Sequence, residues 1–179
     1  MSCDLTSGRA EVCKDSIGGI KAVYFINYGD ATITNDSTDD TLIDDLGTVS
    51  VYKYELKGTN QLDQAITSSR ENGTTYFEQT LGVMLKKQDA TTSKEVKIMA
   101  YGRPQIVVHY RNGEAVLMGE TEGAELTGGT IATGTAQADM NGYSLTFTGT
   151  EPIYARHLLG ATKEDPFVGL TSQPTVVDA

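Results

Sequence analysis

Tryptophan is absent from the 179 residues, and cysteine, histidine and proline are scarce, at two, two and four. Cys3 and Cys13 can form at most one disulfide, which is no framework; two unpaired thiols are the simpler reading. With only His109 and His157 in the chain, a Cys/His zinc site would consume most of the inventory. No metal and no other cofactor is expected. No apolar run approaches the ~20 residues that a membrane-crossing helix needs. The opening "MSCDLTSGRAEVCKD" has no apolar core of the signal-peptide kind, so neither export nor a membrane location is expected.

Basic residues are also in short supply. Fourteen Lys and Arg face 24 Asp and Glu, a formal net charge of −10. A surface this acidic repels phosphate, which argues against a nucleic-acid grip and against an anionic membrane surface. The imbalance is uneven. Residues 30–45, "DATITNDSTDDTLIDD", hold six Asp and no Lys or Arg. Their spacing departs from that of a calcium-binding EF-hand, so a solvated loop is the expectation. Residues 86–103 are the one positive segment: Lys86, Lys87, Lys94, Lys97 and Arg103 against Asp89 and Glu95. A basic patch on a negative protein suits a head-to-tail contact between copies, although a basic solvent face of a helix has the same charge pattern.

Catalytic signatures are missing too. "TGGTIATGTAQADMNGYSLTFTG" (127–149) is rich in Gly and Thr, like a phosphate-binding loop. There is, however, no Lys between Leu117 and Gly160 to complete one. It also lacks the glycine spacing of a dinucleotide site. The chain has no G-x-S-x-G elbow and no H-E-x-x-H. His109, inside an apolar run, reads as a packed histidine. No enzyme is expected.

What is present is strand chemistry. "KAVYFINY" (21–28) combines β-branched and aromatic residues before Gly29-Asp30. In 46–58, Val49, Val51, Lys53 and Glu55 alternate with Tyr52, Tyr54 and Leu56, the pattern of a half-buried strand. "TNQLDQAITSSRENG" is open to a short strand or a turn of helix. "TTYFEQTLGVMLKK" (74–87) is a long strand with a bulge or bend expected at Gly82. Tyr143, Leu145 and Phe147 alternate with Ser144, Thr146 and Thr148, giving one apolar and one hydroxyl face. Three Asn-Gly pairs, at 72–73, 112–113 and 141–142, are expected hairpin turns, because tight turns need positive φ there. One helix is expected over about 92–101, with Thr92 and Glu95 as a capping box and Gly102 and Pro104 as the stop. The expected fold is a single mainly-β domain: an antiparallel sandwich or barrel with one flanking helix, an N-terminal arm (1–19) and an extended C-terminal tail (160–179).

This order of elements resembles that of bacteriophage tail tube proteins and related injection-tube subunits. The likeness covers about two-thirds of the chain by element order. It is carried best by "YGRPQIVVHYRNGEAVLMGETEGAELTGGTIATGTAQADMNGYSLTFTGTEP" (101–152). The resemblance implies a structural virion protein, made in the host bacterial cytoplasm, whose copies form hexameric rings that stack into a tube. Strands of neighbouring copies would join around the lumen, and loops and terminal arms would reach to adjacent rings. Other tail proteins are the implied partners, and DNA passes through without specific binding. An acidic lumen suits such a conduit. Glu120 and Glu122, two apart on an expected strand, are the candidate lumen residues; Lys94, Lys97 and Arg103 are the candidate inter-ring patch. The alternatives are another virion component, such as a head-decoration or neck protein, and a β-sandwich binding module.

Overall fold

A computed structural model describes residues 4–178. The chain is mainly β, with one helix and two sheets. Residues 4–19 are exposed throughout and carry no regular element. Cys13 is an exposed thiol, and any pairing with Cys3 lies outside the described residues.

The small sheet is antiparallel throughout. It contains β5 (Gln61–Ser69), β6 (Thr74–Lys86), β9 (Glu125–Ala132) and β10 (Gly142–Glu151), in the order β5-β6-β10-β9. These are two sequential strand pairs joined through β6 and β10. The segment left open between strand and helix is thus β5. It pairs with β6 along its whole length around the Asn72-Gly73 turn, where Gly73 has φ 65°. Gly82 causes no bulge: pairing runs unbroken through it on both sides. The irregularity falls instead on β9 at Thr127, opposite the Thr146/Phe147 step.

The large sheet has eight strands. Its centre is β1 (Ile20–Ile26), β7 (Gln105–Tyr110) and β8 (Ala115–Met118), flanked by β4 (Ser50–Glu55) on one side and β11 (Arg156–Leu158) on the other. Beyond these lie β12 (Thr175–Val177) at one edge, and β3 (Leu42–Asp45) and β2 (Thr34–Asn35) at the other. Asn112-Gly113 makes the β7–β8 turn. Two pairings depart from the antiparallel expectation: β11–β3 and β12–β4 are parallel.

Two cores explain the sequence pattern. Val23, Phe25, Ile106, Val108, Leu81, Tyr143, Leu145 and Phe147 meet between the sheets, with the Phe25 and Phe147 rings 5.3 Å apart. Ala22, Tyr24, Ile26, Val107 and Leu117 fill a second core on the other face of the large sheet. A strand buried on both faces reads as a continuous apolar run, which is why "IKAVYFI" does not alternate cleanly. The alternation of 46–58 is observed: Val49 and Val51 enter the second core while Tyr54 and Leu56 enter the first.

The expected extended tail is a cover. Phe167 and Leu170 are buried in the second core, and the Phe167 ring meets Tyr24 edge-on at 5.0 Å. The segment ends by adding β12 to the β4 edge. Low periodicity hid this, because two anchors suffice to seat a strap that forms little regular structure.

Helix α1 (Ala90–Tyr101) stands where expected, but its cap is different. Asp89 is the N-cap, and its carboxylate accepts from Thr92 N at 2.7 Å and Thr92 Oγ1 at 2.7 Å. Gly102 ends the helix, its N–H donating to Ile98 O. The buried Tyr143 hydroxyl ties the helix start to the small sheet, lying 2.6 Å from Ser93 Oγ and donating to Asp89 O at 3.1 Å. The third Asn-Gly pair is not a turn. Gly142 already lies in β10, where a Cβ would sit 2.1 Å from Leu85 O. The β9–β10 connection is the loop 133–141, which Asp139 organises by accepting from Thr135 N and Ala136 N.

Candidate interaction surfaces

The residues singled out in the sequence do not form one site. Glu120 and Glu122 are on no strand: both fall in the turn between β8 and β9. Glu120 accepts from Arg156 Nε at 2.8 Å and also from Arg156 Nη2. Their side chains are only 15% and 9% exposed. Arg156 also donates to Asn35 Oδ1 and Asp40 O. Glu120 is therefore half of an ion pair that fastens the acidic loop to the sandwich. Glu122 is exposed, 3.9 Å from Arg103. The expected shared acidic face does not exist, because the chain bends at Gly119 and Gly123, both at positive φ.

Lys94 and Lys97 are exposed on α1, one helical turn apart and so on one face. Arg103 is set aside from them, its guanidinium 4.0 Å from the centre of the Tyr28 ring. Two carboxylates of the acidic loop serve its own turns, while Asp44 and Asp45 accept from Thr171 Oγ1 and Ser172 Oγ of the C-terminal segment. Asp36 accepts from Thr38 N and Asp39 N, and Asp39 from Thr41 N and Oγ1. The Thr41 hydrogen bonds hold the Asp39 carboxyl below the usual carboxylate range. Among the described residues no cluster of His, Cys, Asp and Glu is placed to hold a metal.

Two further surfaces lie outside these candidate residues. The first is the small sheet. Its outward face carries Ser144, Thr146 and Thr148 beside Met84, Gly82 and Thr80, and Thr130 and Gly128 on the far side. Thr127 and Thr148 share a hydroxyl hydrogen bond of 2.9 Å. Pairing register puts Asp63, Glu78 and Glu125 on this face, with Lys86 at one end. The sheet's edges, β5 and β9, are nine and eight residues long. Neither contains proline, and each carries an exposed isoleucine, Ile66 and Ile131. Each edge carries a single charge, Asp63 on β5 and Glu125 on β9, and β9 has the irregularity at Thr127, light protection for strands of this length.

The second is a groove of about 430 Å³ between α1 and the large sheet. Phe25, Tyr28, Tyr52, Tyr54, Ile98 and Met99 give it an apolar lining, and Glu95 and Arg103 line it as well. The sequence held these aromatics in plain view, but only the crossing of α1 over the β1–β4 end brings them together.

No family model, curated protein or solved structure matches the chain.

Proposed function

We propose that this chain is a virion structural protein, the tail tube subunit of a bacteriophage, whose small sheets join edge to edge into rings that stack as a conduit for DNA. The observation that carries this reading is the pair of long edges, each without a second strand partner, on one four-stranded sheet. Three successive antiparallel pairings make β5 and β9 run in opposite directions. Copies related by rotation about an axis along the strands would therefore meet β9 to β5 in antiparallel fashion, the same geometry as inside the sheet. Such a contact is heterologous and closes into a ring, and closure removes both edges.

The size is sensible. Six copies, the number the resemblance implies, would give roughly 24 strands; at 4.7–4.9 Å between strands and a tilt of 35–45°, the backbone diameter is roughly 44–53 Å. That leaves an aqueous channel wide enough for a duplex. The outward face of the small sheet would line it with hydroxyls, glycines and the acidic Asp63, Glu78 and Glu125. Neutral hydroxyls offer phosphate no counter-charge, and the acids repel it.

The test is imaging of the concentrated protein by negative-stain electron microscopy, beside the edge variant Ala65→Lys/Ile66→Lys. Rings or hollow tubes are expected for the wild type. The variant, altered only at exposed positions, should remain a folded monomer. A wild type that stays monomeric across concentration and salt would overturn the reading in favour of a decoration or binding module.

A further inference from the structure

The fold gives the three Asn-Gly pairs three different settings. In the β7–β8 turn, Asn112 Oδ1 accepts from Glu114 N at 3.0 Å, and the nitrogen that follows, Gly113 N, donates to Tyr110 O at 3.2 Å. A Cβ on Gly113 would lie 3.1 Å from Lys163 Cγ, so the C-terminal segment closes over this turn. Asn141 leads straight into β10. Its carbonyl accepts from Lys87 N, and Gly142 is buried between β6 and β9. Asn72 differs from both. It lies between β5 and β6 in the loop 70–73, which is exposed throughout. Its own N–H donates to Ser69 Oγ at 3.3 Å. Among the described residues neither its side-chain amide nor the Gly73 N–H has a partner, and a Cβ on Gly73 would meet nothing within 4 Å.

We propose that Asn72 is a self-modification site, the residue at which the folded protein deamidates through the backbone nitrogen of Gly73. That nitrogen, giving up its proton to water, attacks Asn72 Cγ. The new N–C bond closes a cyclic succinimide, and the Cγ–Nδ2 bond breaks to release ammonia. Water then opens the ring. Opening at Cγ leaves Asp at position 72. Opening at the main-chain carbonyl leaves an isoaspartyl link, in which the backbone runs through the side chain and is one methylene longer. Water is the sole co-reactant, and nothing is oxidised or reduced. Glycine favours the attack because no Cβ shields its nitrogen. The attack also requires rotation about the Asn72 Cα–C bond. An exposed loop permits that at almost no cost, whereas a nitrogen held in a turn or a ladder reacts only after local opening. Either product adds one negative charge beside Glu71, at the tip of the hairpin whose first strand, β5, is a sheet edge. The chemistry stands whatever the protein assembles into.

The test follows all three sites in full-length folded protein kept at mildly alkaline pH in heavy-oxygen water. Peptide mapping by mass spectrometry reads conversion at each site, and labelling by an isoaspartyl carboxyl methyltransferase reads the isoaspartyl form. Asn72 should convert at least about tenfold faster than Asn112 and Asn141, taking up heavy oxygen as it does, and the three rates should converge in urea, where no site needs local opening. Equal rates in the folded protein, or conversion led by Asn112 or Asn141, overturn the proposal. A preference for Asn72 of the same size in urea overturns it equally, because the fold would not be its cause. Asn72→Gln should remove the acidic species that ion-exchange chromatography resolves as the protein ages; its appearance at an unchanged rate would place the reaction elsewhere and overturn the assignment.

Discussion

The Arg156 guanidinium holds the Glu120 carboxylate, with Nε 2.8 Å from Oε2, and ties it to the acidic loop through Asn35 and Asp40. Removing one partner of a buried pair strands the other charge. Glu120→Gln should therefore cost at the lower end of the range for such pairs, about 3 kcal/mol, read as a shift in the urea midpoint. Glu122→Gln, at an exposed and distant pair, should shift it by less than about 1 kcal/mol. Equal, small effects would mean that Glu120 is solvated.

Gly128 and Gly129 are neighbours on β9 with opposite constraints. A Cβ at Gly128 meets nothing within 4 Å, whereas one at Gly129 would lie 2.7 Å from Ser144 O. Gly129→Ala should lower stability by about 1–3 kcal/mol through forced backbone shifts, and Gly128→Ala should leave it nearly unchanged. Thermal melts of the two proteins check this. If the outward face lines a ring, Gly128→Ala also leaves ring formation intact.

His109 is buried on β7 and meets Thr162 O at 2.7 Å through Nε2. Burial pushes its pKa down, opposed by the Thr162 carbonyl; Lys21 lowers it further, while Asp165 and Glu164 raise it. A depressed folded pKa means that the unfolded chain takes up the proton first. The stability contributed is full above the unfolded value of about 6.5 and is lost as pH falls through the folded value. The melting temperature should drop between pH 7.5 and 5.5, and His109→Gln should flatten that slope.

Asp89, and not Thr92, caps α1. Asp89→Ala should lower the melting temperature more than Glu95→Ala does, because only Asp89 accepts the Thr92 N–H. The reverse order would restore the capping box read from the sequence.

Lys94 and Lys97 remain the test of charge in assembly. Lys94→Glu/Lys97→Glu should weaken the proposed tube assembly and leave the monomer's melt within about 0.5 kcal/mol, as expected of exposed positions. Light scattering against salt concentration reads this; unchanged assembly would remove charge complementarity from the argument.

The sequence by itself determined the longer strands that alternate, β4 and β10 among them, and which side of each would be buried. Period-two alternation is a local property, and Tyr143, Leu145 and Phe147 announce the buried face of β10 without reference to anything else. The helix and two of the three Asn-Gly turns are local in the same sense. Tertiary structure decided everything that depends on which strands are neighbours. Glu120 looked like a surface acid until β11 brought Arg156 beside it, 36 residues away. Residues 160–178 looked like a tail until the second face of a sheet needed covering. Asn141-Gly142 looked like a hairpin until β6 came too close for any side chain. The hydroxyl face of 127–149 was legible as a face, but only the sheet order β5-β6-β10-β9 shows that it belongs to a sheet with two open edges. Pairing between distant segments is set by the packing of the whole chain, and no short window of sequence contains it.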